Sequence, residues 1–554
     1  MNRILFFLLP LLFSFLQLSA QVRPPTPPPA PADSMKRVDI IHSNSYTFKQ
    51  IDSLTALQVL AGDVQLKQDS TFFYSDSAVY NDRKRIIEAF GNIHINDDDS
   101  VHTYSQYLLY YVDTKIANLR KKVKLTDGKT TLFTEELNYD MNLKFGEYKN
   151  GGRVENAQSV LTSKEGIYYT DLKDIYFRKN VKLTDPKYTL ETDSLIYNTN
   201  TEIATFIAET VIIDSAGRKI KTNEGWYDLR NRRAYLSKRP VIIDGAVRIT
   251  ANTIETNDST GINVLTGNAV YHDSTEGVMI LSNYMLANRE TSEFLATQHP
   301  LMIIKQEEDS IYITADTLFS GRLSLLPGYM DSTGKIDSTL KIDSTLKEDT
   351  IRNTVTIDAS KEKNDSADRY FRAWHNVRIF SDSLQAVSDS LFYSGKDSVF
   401  QLFTNPIVWA SDNQVTGDTI YLYTKNKKAD RLFVFENGLM INKSGEAMYN
   451  QIRGNRINGY FKEGDIDYMR ARGNAESIYY VKDDEGFLIG INKASGDIID
   501  MRFENKELKT VIFISEVKGS MYPIRQLSDE EKQLRGFQWH DGKRPKSKFE
   551  LFGD

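Results

Sequence analysis

Five acidic residues, Asp76, Asp193, Asp316, Asp389 and Asp418, are each followed directly by Ser or Thr. A carboxylate beside a hydroxyl can do acid, base or nucleophile chemistry. These pairs, however, return at the same register of successive segments. A catalytic constellation is normally unique, whereas a structural device repeats, so the pairs read as turn or strand-start residues that satisfy local backbone groups. The seven histidines, His42, His94, His102, His272, His299, His375 and His540, include no HExxH or other close ligand pair. His94 and His102 fall on or beside one strand pair and are the best metal candidates. Yet His94 alternates with Ile93 and Ile95 and so points outward as a solvated side chain. Asp97, Asp98 and Asp99 cluster, but the GGxGxD phrase of calcium-binding β-rolls is absent. GxSxG, Walker A and GxGxxG phrases are absent too, and the stretch from Gly454 to Gly459 lacks the Lys and Ser or Thr that phosphate binding needs. No catalytic residue, metal or cofactor is expected, and the chain reads as a non-enzyme.

What remains is the apolar face of the elements that carry these pairs. LAGDVQL at Leu60 to Leu66 returns as AFGNIHI at Ala89 to Ile95, RKKVKL at Arg120 to Leu125, RKNVKL at Arg178 to Leu183, LTGNAVY at Leu265 to Tyr271 and WHNVRI at Trp374 to Ile379. Val64 to Ile93 is 29 residues, and Ile93 to Val123 and Val181 to Val211 are 30 each. A fixed period of this size marks a solenoid-like stack in which each unit buries its apolar face against its neighbours. Within a unit, Val123 and Leu125 alternate with Lys122, Lys124 and Thr126, and Val181 and Leu183 with Asn180, Lys182 and Thr184. That is the pattern of a half-buried strand. A second strand carries SDSAVY at Ser75 to Tyr80, TDSLIY at Thr192 to Tyr197, SDSLFY at Ser388 to Tyr393 and similar phrases. Two strands per unit point to two stacked sheets. The expected fold is all-β, an elongated open β-jellyroll of about thirteen two-strand repeats. At about 4.8 Å per strand it is on the order of 60 Å long.

Net charge is 69 − 75 = −6, which gives no basic field to hold nucleic acid. Residues 1–20 combine Arg3, an apolar run from Ile4 to Leu16 and small residues Ser19 and Ala20, the layout of a cleavable secretory signal. With no Cys, stability must come from strand pairing and burial. Residues 21–56 form a proline-dense tether and lead-in. The first repeat block is expected over 57–325 and the second over 369–520. Between them, 326–368 repeats KIDSTL and reads as a polar low-complexity insertion. Residues 521–554 form a tail in which Ser528 and Glu531 fit a capping box, predicting a short helix from Ser528 to Arg535. The aromatic and basic stretch from Phe537 to Phe552 either folds back on the last rung or docks a partner.

A dry core is the plain reading of the apolar face. The sharper one is a lengthwise groove between the sheets for acyl chains. At about 0.8 kcal/mol per methylene, a twelve-carbon chain exposed to water costs on the order of 9 kcal/mol, so a lipid crossing an aqueous compartment needs such a shield. The LxGxV-type strand (Gly62 to Val64, Gly91 to Ile93, Gly267 to Ala269) and the ADxLxY-type return strand (Asp193, Ser194, Leu195, Tyr197) on an exported chain resemble the OstA/LptA family. This family comprises periplasmic lipopolysaccharide-transport proteins. The resemblance spans roughly Leu57 to Tyr480. It implies an open jellyroll that binds lipid A acyl chains and joins LptC-like inner-membrane and LptD-like outer-membrane jellyroll domains by edge-strand pairing. The residues expected to line the acyl path are Val64, Leu66, Ile93, Ile95, Val123, Leu125, Val181 and Leu183. Outward Lys121, Lys122, Lys124, Arg230, Arg232 and Arg233 either meet lipid phosphates or form a solvated face. The chain is longer than a typical LptA, and the insertion and tail have no family counterpart. A parallel β-helix enzyme acting on polysaccharide, or a structural or adhesive surface protein, shares the repetitive and exported character. The former requires a non-repeating carboxylate cluster, and the latter a C-terminal sorting signal.

Overall fold

In a computed structural model the described residues are 37–326 and 368–552, apart from 53–54, 98–99, 157, 306–309, 426–427, 463–464, 484 and 505–506. The expected signal, the proline-dense part of the tether and nearly all of the insertion lie outside them. The rest is a single 40-stranded sheet in which each strand pairs antiparallel with its neighbours. Antiparallel pairing throughout the described residues removes the parallel β-helix alternative.

The repeat unit is a hairpin whose two long strands both bend in the middle. In Ile86–Asp97 the bend falls at Gly91 and Asn92, both with positive φ (71° and 42°), and the pairing register shifts there between Phe90 and Ile93. The same left-handed pair recurs at Gly62 and Asp63, Lys121 and Lys122, Lys179 and Asn180, Gly267 and Asn268, and His375 and Asn376. Such a bulge turns the strand sharply, so the single sheet folds along a line of corners into two facing halves. Glycine is favoured here because of its φ, and at Gly91 also because a Cβ would run into the Asp76 carboxylate.

The recurring Asp-Ser and Asp-Thr pairs sit on these corners. Asp76 accepts two hydrogen bonds from the Asn92 amide at 3.0 and 3.2 Å, and Asp316 and Asp418 do the same for Asn376 and Asn437. Asp389 takes His375 Nδ1 at 3.1 Å, and Asp193 is exposed at its own corner. Before Asp193 and Asp389 the preceding hydroxyl residue turns inward and donates to the carbonyl two residues on. The bonds run from Thr192 to Ser194 (3.4 Å), from Ser388 to Ser390 (3.1 Å) and, in an acid-free copy, from Ser105 to Tyr107 (3.1 Å). At four of these corners the acid therefore holds a corner side chain in place.

Thr317–Arg322 and Ile311–Thr314 both pair with Arg369–Phe380, so the sheet runs without a break past the insertion. Inward residues of both halves form one core from Leu60 to Phe503. The tail departs from expectation. Its capping box closes, with Ser528 N–H and Oγ both donating to the Glu531 carboxylate at 2.9 Å, but one turn follows instead of an α-helix. The Gln451 side chain takes the Lys532 carbonyl (2.8 Å) and the Leu534 N–H (2.7 Å), and the chain is drawn out as turns and short 3-10 segments. The tail folds back, as the plainer expectation had it, but well past the last rung, reaching Arg378 and His299.

Candidate functional site

The interior between the two half-sheets is the candidate site. Val64, Leu66, Ile93, Ile95, Val123, Leu125, Val181 and Leu183 all point into it, and none is more than 3 % exposed. They lie on the half-sheet after the corner, packed against Leu60, Ala89, Leu119 and Phe177 from the half before it. The two walls touch, so a guest chain must part them. Tyr148 fills one stretch of the interior, its ring set against Gly152 and Gly166, whose lack of a Cβ makes the space. Near the C-terminal end the walls diverge. A cavity of ≈ 260 Å³ lies between Ile452, Tyr479, Val481 and Asn492 on one side and Val511 and Phe513 on the other.

Opposite the corners the free ends of the two half-sheets meet in a seam. In the first block it is closed by a repeating set of side chains. The Tyr110 hydroxyl donates to Gln68 Oε1 at 2.5 Å, Tyr139 to Asp97 at 3.0 Å and Tyr168 to Asp127 at 2.9 Å, while Asn156 donates to the Tyr197 hydroxyl at 2.8 Å. A hairpin lysine five residues beyond each of the first three tyrosines completes the clasp. Lys115 pairs with Asp69, Lys144 with Asp97 at 2.8 Å and Lys173 with Asp127 at 3.1 Å. Farther on, Arg218 bridges Asp214 (3.0 Å) to Asp258 (3.1 Å), and Asp258 also accepts from Tyr227. Each clasp joins hairpins about forty residues apart in the chain. The seam is thus polar and hydrogen-bonded, unlike the dry walls on either side.

Burial governs the titration of the seam. It raises the Tyr110, Tyr139 and Tyr168 phenols well above 10.0, with the neighbouring Asp charges adding to the effect, and pushes Tyr197 up to about 12. Burial also acts to raise Asp127. The N–H of Thr130, the Tyr168 hydroxyl and the Lys173 ammonium outweigh it and hold the carboxyl below 3.8. For the tyrosines, the stability contributed by the protonated phenol is complete below pH 10 and is lost as pH rises through the higher folded values. For Asp127 the contribution is complete above pH 3.8 and is lost as pH falls through its depressed folded value. The midpoint of chemical unfolding should therefore be level near neutrality and fall from pH 10 upwards, with phenolate absorbance appearing only as structure is lost. Phenolate formation ahead of unfolding would show that the seam tyrosines are already solvated.

The outer surface offers less. His94 and His102 lie side by side, Nε2 to Nδ1 3.2 Å, with His94 stacked between Tyr74 and Tyr104. Burial first, and His102 second, lowers the His94 pKa. Among the described residues no third ligand-type side chain joins them. Of the outward cations, Lys121 and Lys122 form a corner, Lys124 lies 5.5 Å over the Tyr104 ring, and Arg230 pairs with Glu202 at 3.0 Å. Arg232 has positive φ in a hairpin turn, and Arg233 begins the strand Arg233–Ser237.

Both ends of the sheet present free edges among the described residues. Asp39–His42 and Ser45–Gln50 pair only with Ala56–Gln68, leaving Ile41, Tyr46 and Phe48 more than half exposed. At the other end Glu507–Ile514 and Lys518–Tyr522 pair only with Leu488–Glu504. Sequence reading missed the seam, although Tyr110, Tyr139, Tyr168 and Tyr197 recur every 29 residues and Lys115, Lys144 and Lys173 do the same. That second periodicity, at the strand ends, was the available signal.

Among known proteins, the family model described as OstA-like protein matches residues 35–193. Over that span the chain is similar to OstA-like proteins. A search of curated proteins gives no match. One similar solved structure is LptH from Pseudomonas aeruginosa, the LptA-homologous periplasmic component of a lipopolysaccharide transport device. It has 15 % identity and a TM-score of 0.18 over 20 % of this chain and 83 % of that one.

Proposed function

We propose that this chain, OstA-like over residues 35–193, is a non-enzymatic periplasmic bridge that carries lipopolysaccharide from the inner to the outer membrane. Acyl chains travel between the two half-sheets, against Val64, Leu66, Ile93, Ile95, Val123, Leu125, Val181 and Leu183. The observation that carries this reading is the continuous apolar interior from Leu60 to Phe503, flanked by a polar seam and ending in free strand edges. The energetics favour entry through the seam. An acyl chain that wedges the walls apart keeps their apolar surface covered, so little hydrophobic burial is lost. The seam groups exchange their partners for water, at a net cost of about 0.5–1.5 kcal/mol per hydrogen bond. The free edges suit strand addition by LptC-like and LptD-like jellyroll domains, which would extend the interior at both ends.

A photo-crosslinking residue placed in cells at Val123 or Val181 should give lipopolysaccharide adducts, and one at the adjacent outward Lys124 or Lys182 should give none above background. Equal labelling of inward and outward positions, or inward adducts to protein alone, would count against an acyl path through the interior.

A further inference from the structure

The outer face of the second block carries a feature that lipid carriage does not use. Gln385, Trp409, Gln414, Ile441, Gln451 and Ile478 lie in one register row across successive strands and end at Lys493. Outward rows on a sheet are normally solvated, yet Gln414 and Trp409 are 0 % exposed and Gln451 is 1 % exposed. The tail covers them, and the row holds it largely by its main chain. Gln451 donates to the Lys532 carbonyl at 2.8 Å and accepts the Leu534 N–H at 2.7 Å. Gln414 repeats the same pattern, donating to the Gln538 carbonyl and accepting the His540 N–H, both at 2.8 Å. Lys493 donates to the Glu531 carbonyl (2.8 Å) and Arg378 to the Glu550 carbonyl (3.1 Å). At Gln385 the contact is instead to a tail side chain, Arg544 Nε, at 2.8 Å.

A glutamine amide that donates to one carbonyl and accepts the N–H two residues later reproduces what a neighbouring β-strand offers. It does so without regard to the side chains of the bound segment. Side-chain recognition adds Arg544, which also donates to the Ser411 carbonyl at 3.0 Å, and apolar anchors: Phe537 and Trp539, each 5.4 Å from the Tyr449 ring, and Leu527 with Leu534 against Ile478, Tyr480 and Ile491.

We propose that the Gln414 and Gln451 row is a peptide-binding site that reads the main chain of an extended segment. Its resident ligand is the chain's own tail, and it accepts the tail of a second copy in exchange. Attached in cis, the tail competes at a high effective concentration, so exchange is best read after the link is cut.

The test uses the full-length chain with a protease site inserted between Tyr522 and Pro523, cut after folding. The severed tail should stay bound through gel filtration and be displaced by a labelled synthetic peptide of residues 524–554. Peptides N-methylated at Leu534 and His540 keep every side chain but lose the two donors, and should bind about 100-fold more weakly. Methylation at Arg535, whose N–H is not among these bonds, should leave binding unchanged. Because the protein is the same in each case, a folding defect cannot imitate the result. A severed tail that dissociates at once, or N-methylated peptides that bind like the parent, would overturn the proposal.

Discussion

A chain carrying Asp97→Ala and Asp127→Ala loses protection of its seam hairpins against amide exchange by about 100-fold at each site. Asp97 is buried and accepts three hydrogen bonds, from Thr71 (2.9 Å), Tyr139 (3.0 Å) and Lys144 (2.8 Å). Removing the carboxylate takes a charge-assisted hydrogen bond from a buried phenol and an ion pair from a partly buried ammonium, a loss of about 3 kcal/mol once the exposure of the lysine is discounted. Asp127 holds Tyr168, Lys173 and the N–H groups of Lys129 and Thr130, and its removal costs a similar amount. The two sites sit one repeat apart and share none of these partners, so their effects should add. Because units in such a stack open locally, the loss appears first at residues 139–144 and 168–173, while the 110–115 hairpin keeps its own clasp to Gln68 and Asp69 and the second block changes only weakly. Hydrogen exchange resolved by segment is the measurement. Unchanged exchange at the seam hairpins would mean the clasps contribute nothing to closure.

Trp409→Ala costs about 3–5 kcal/mol and frees the tail, although Trp409 lies on what would ordinarily be the solvent side of its strand. Its side chain is fully buried between sheet and tail, and Nε1 donates to Gln414 Oε1 at 3.3 Å, the oxygen that also holds the His540 N–H. Truncation opens a cavity and loosens that glutamine together. Limited proteolysis at Arg535 and Lys543 should accelerate, while the inward neighbour Val408 and the first block keep their exchange rates. Acceleration spread evenly over both blocks would show a general collapse of the sheet instead of a released tail.

Much of the architecture was legible from the chain because it repeats. Alternation at Val123, Leu125, Val181 and Leu183 depends on neighbours one and two residues away, and the period of about thirty sets the hairpin length. The recurrence of Asp76, Asp193, Asp316, Asp389 and Asp418 was enough to assign them to structure instead of catalysis. Alternation gives the inward face of a strand but carries no information about how far apart two facing walls stand. That is why the inward face was legible while the closure of the walls was not. The clasps Tyr139 to Asp97 and Lys144 to Asp97 join residues more than forty positions apart, and nothing local to either partner announces the other. The tail shows the same limit. Ser528 and Glu531 form the local capping box that their spacing predicts, but the helix they would start is cut short by Gln451, a residue eighty positions away that takes the backbone groups the helix needs. Short-range pattern, set by side-chain alternation and backbone φ, was thus determined by the sequence alone. Closure of the walls and the path of the tail were decided by contacts that exist only once the corners have brought distant strands together.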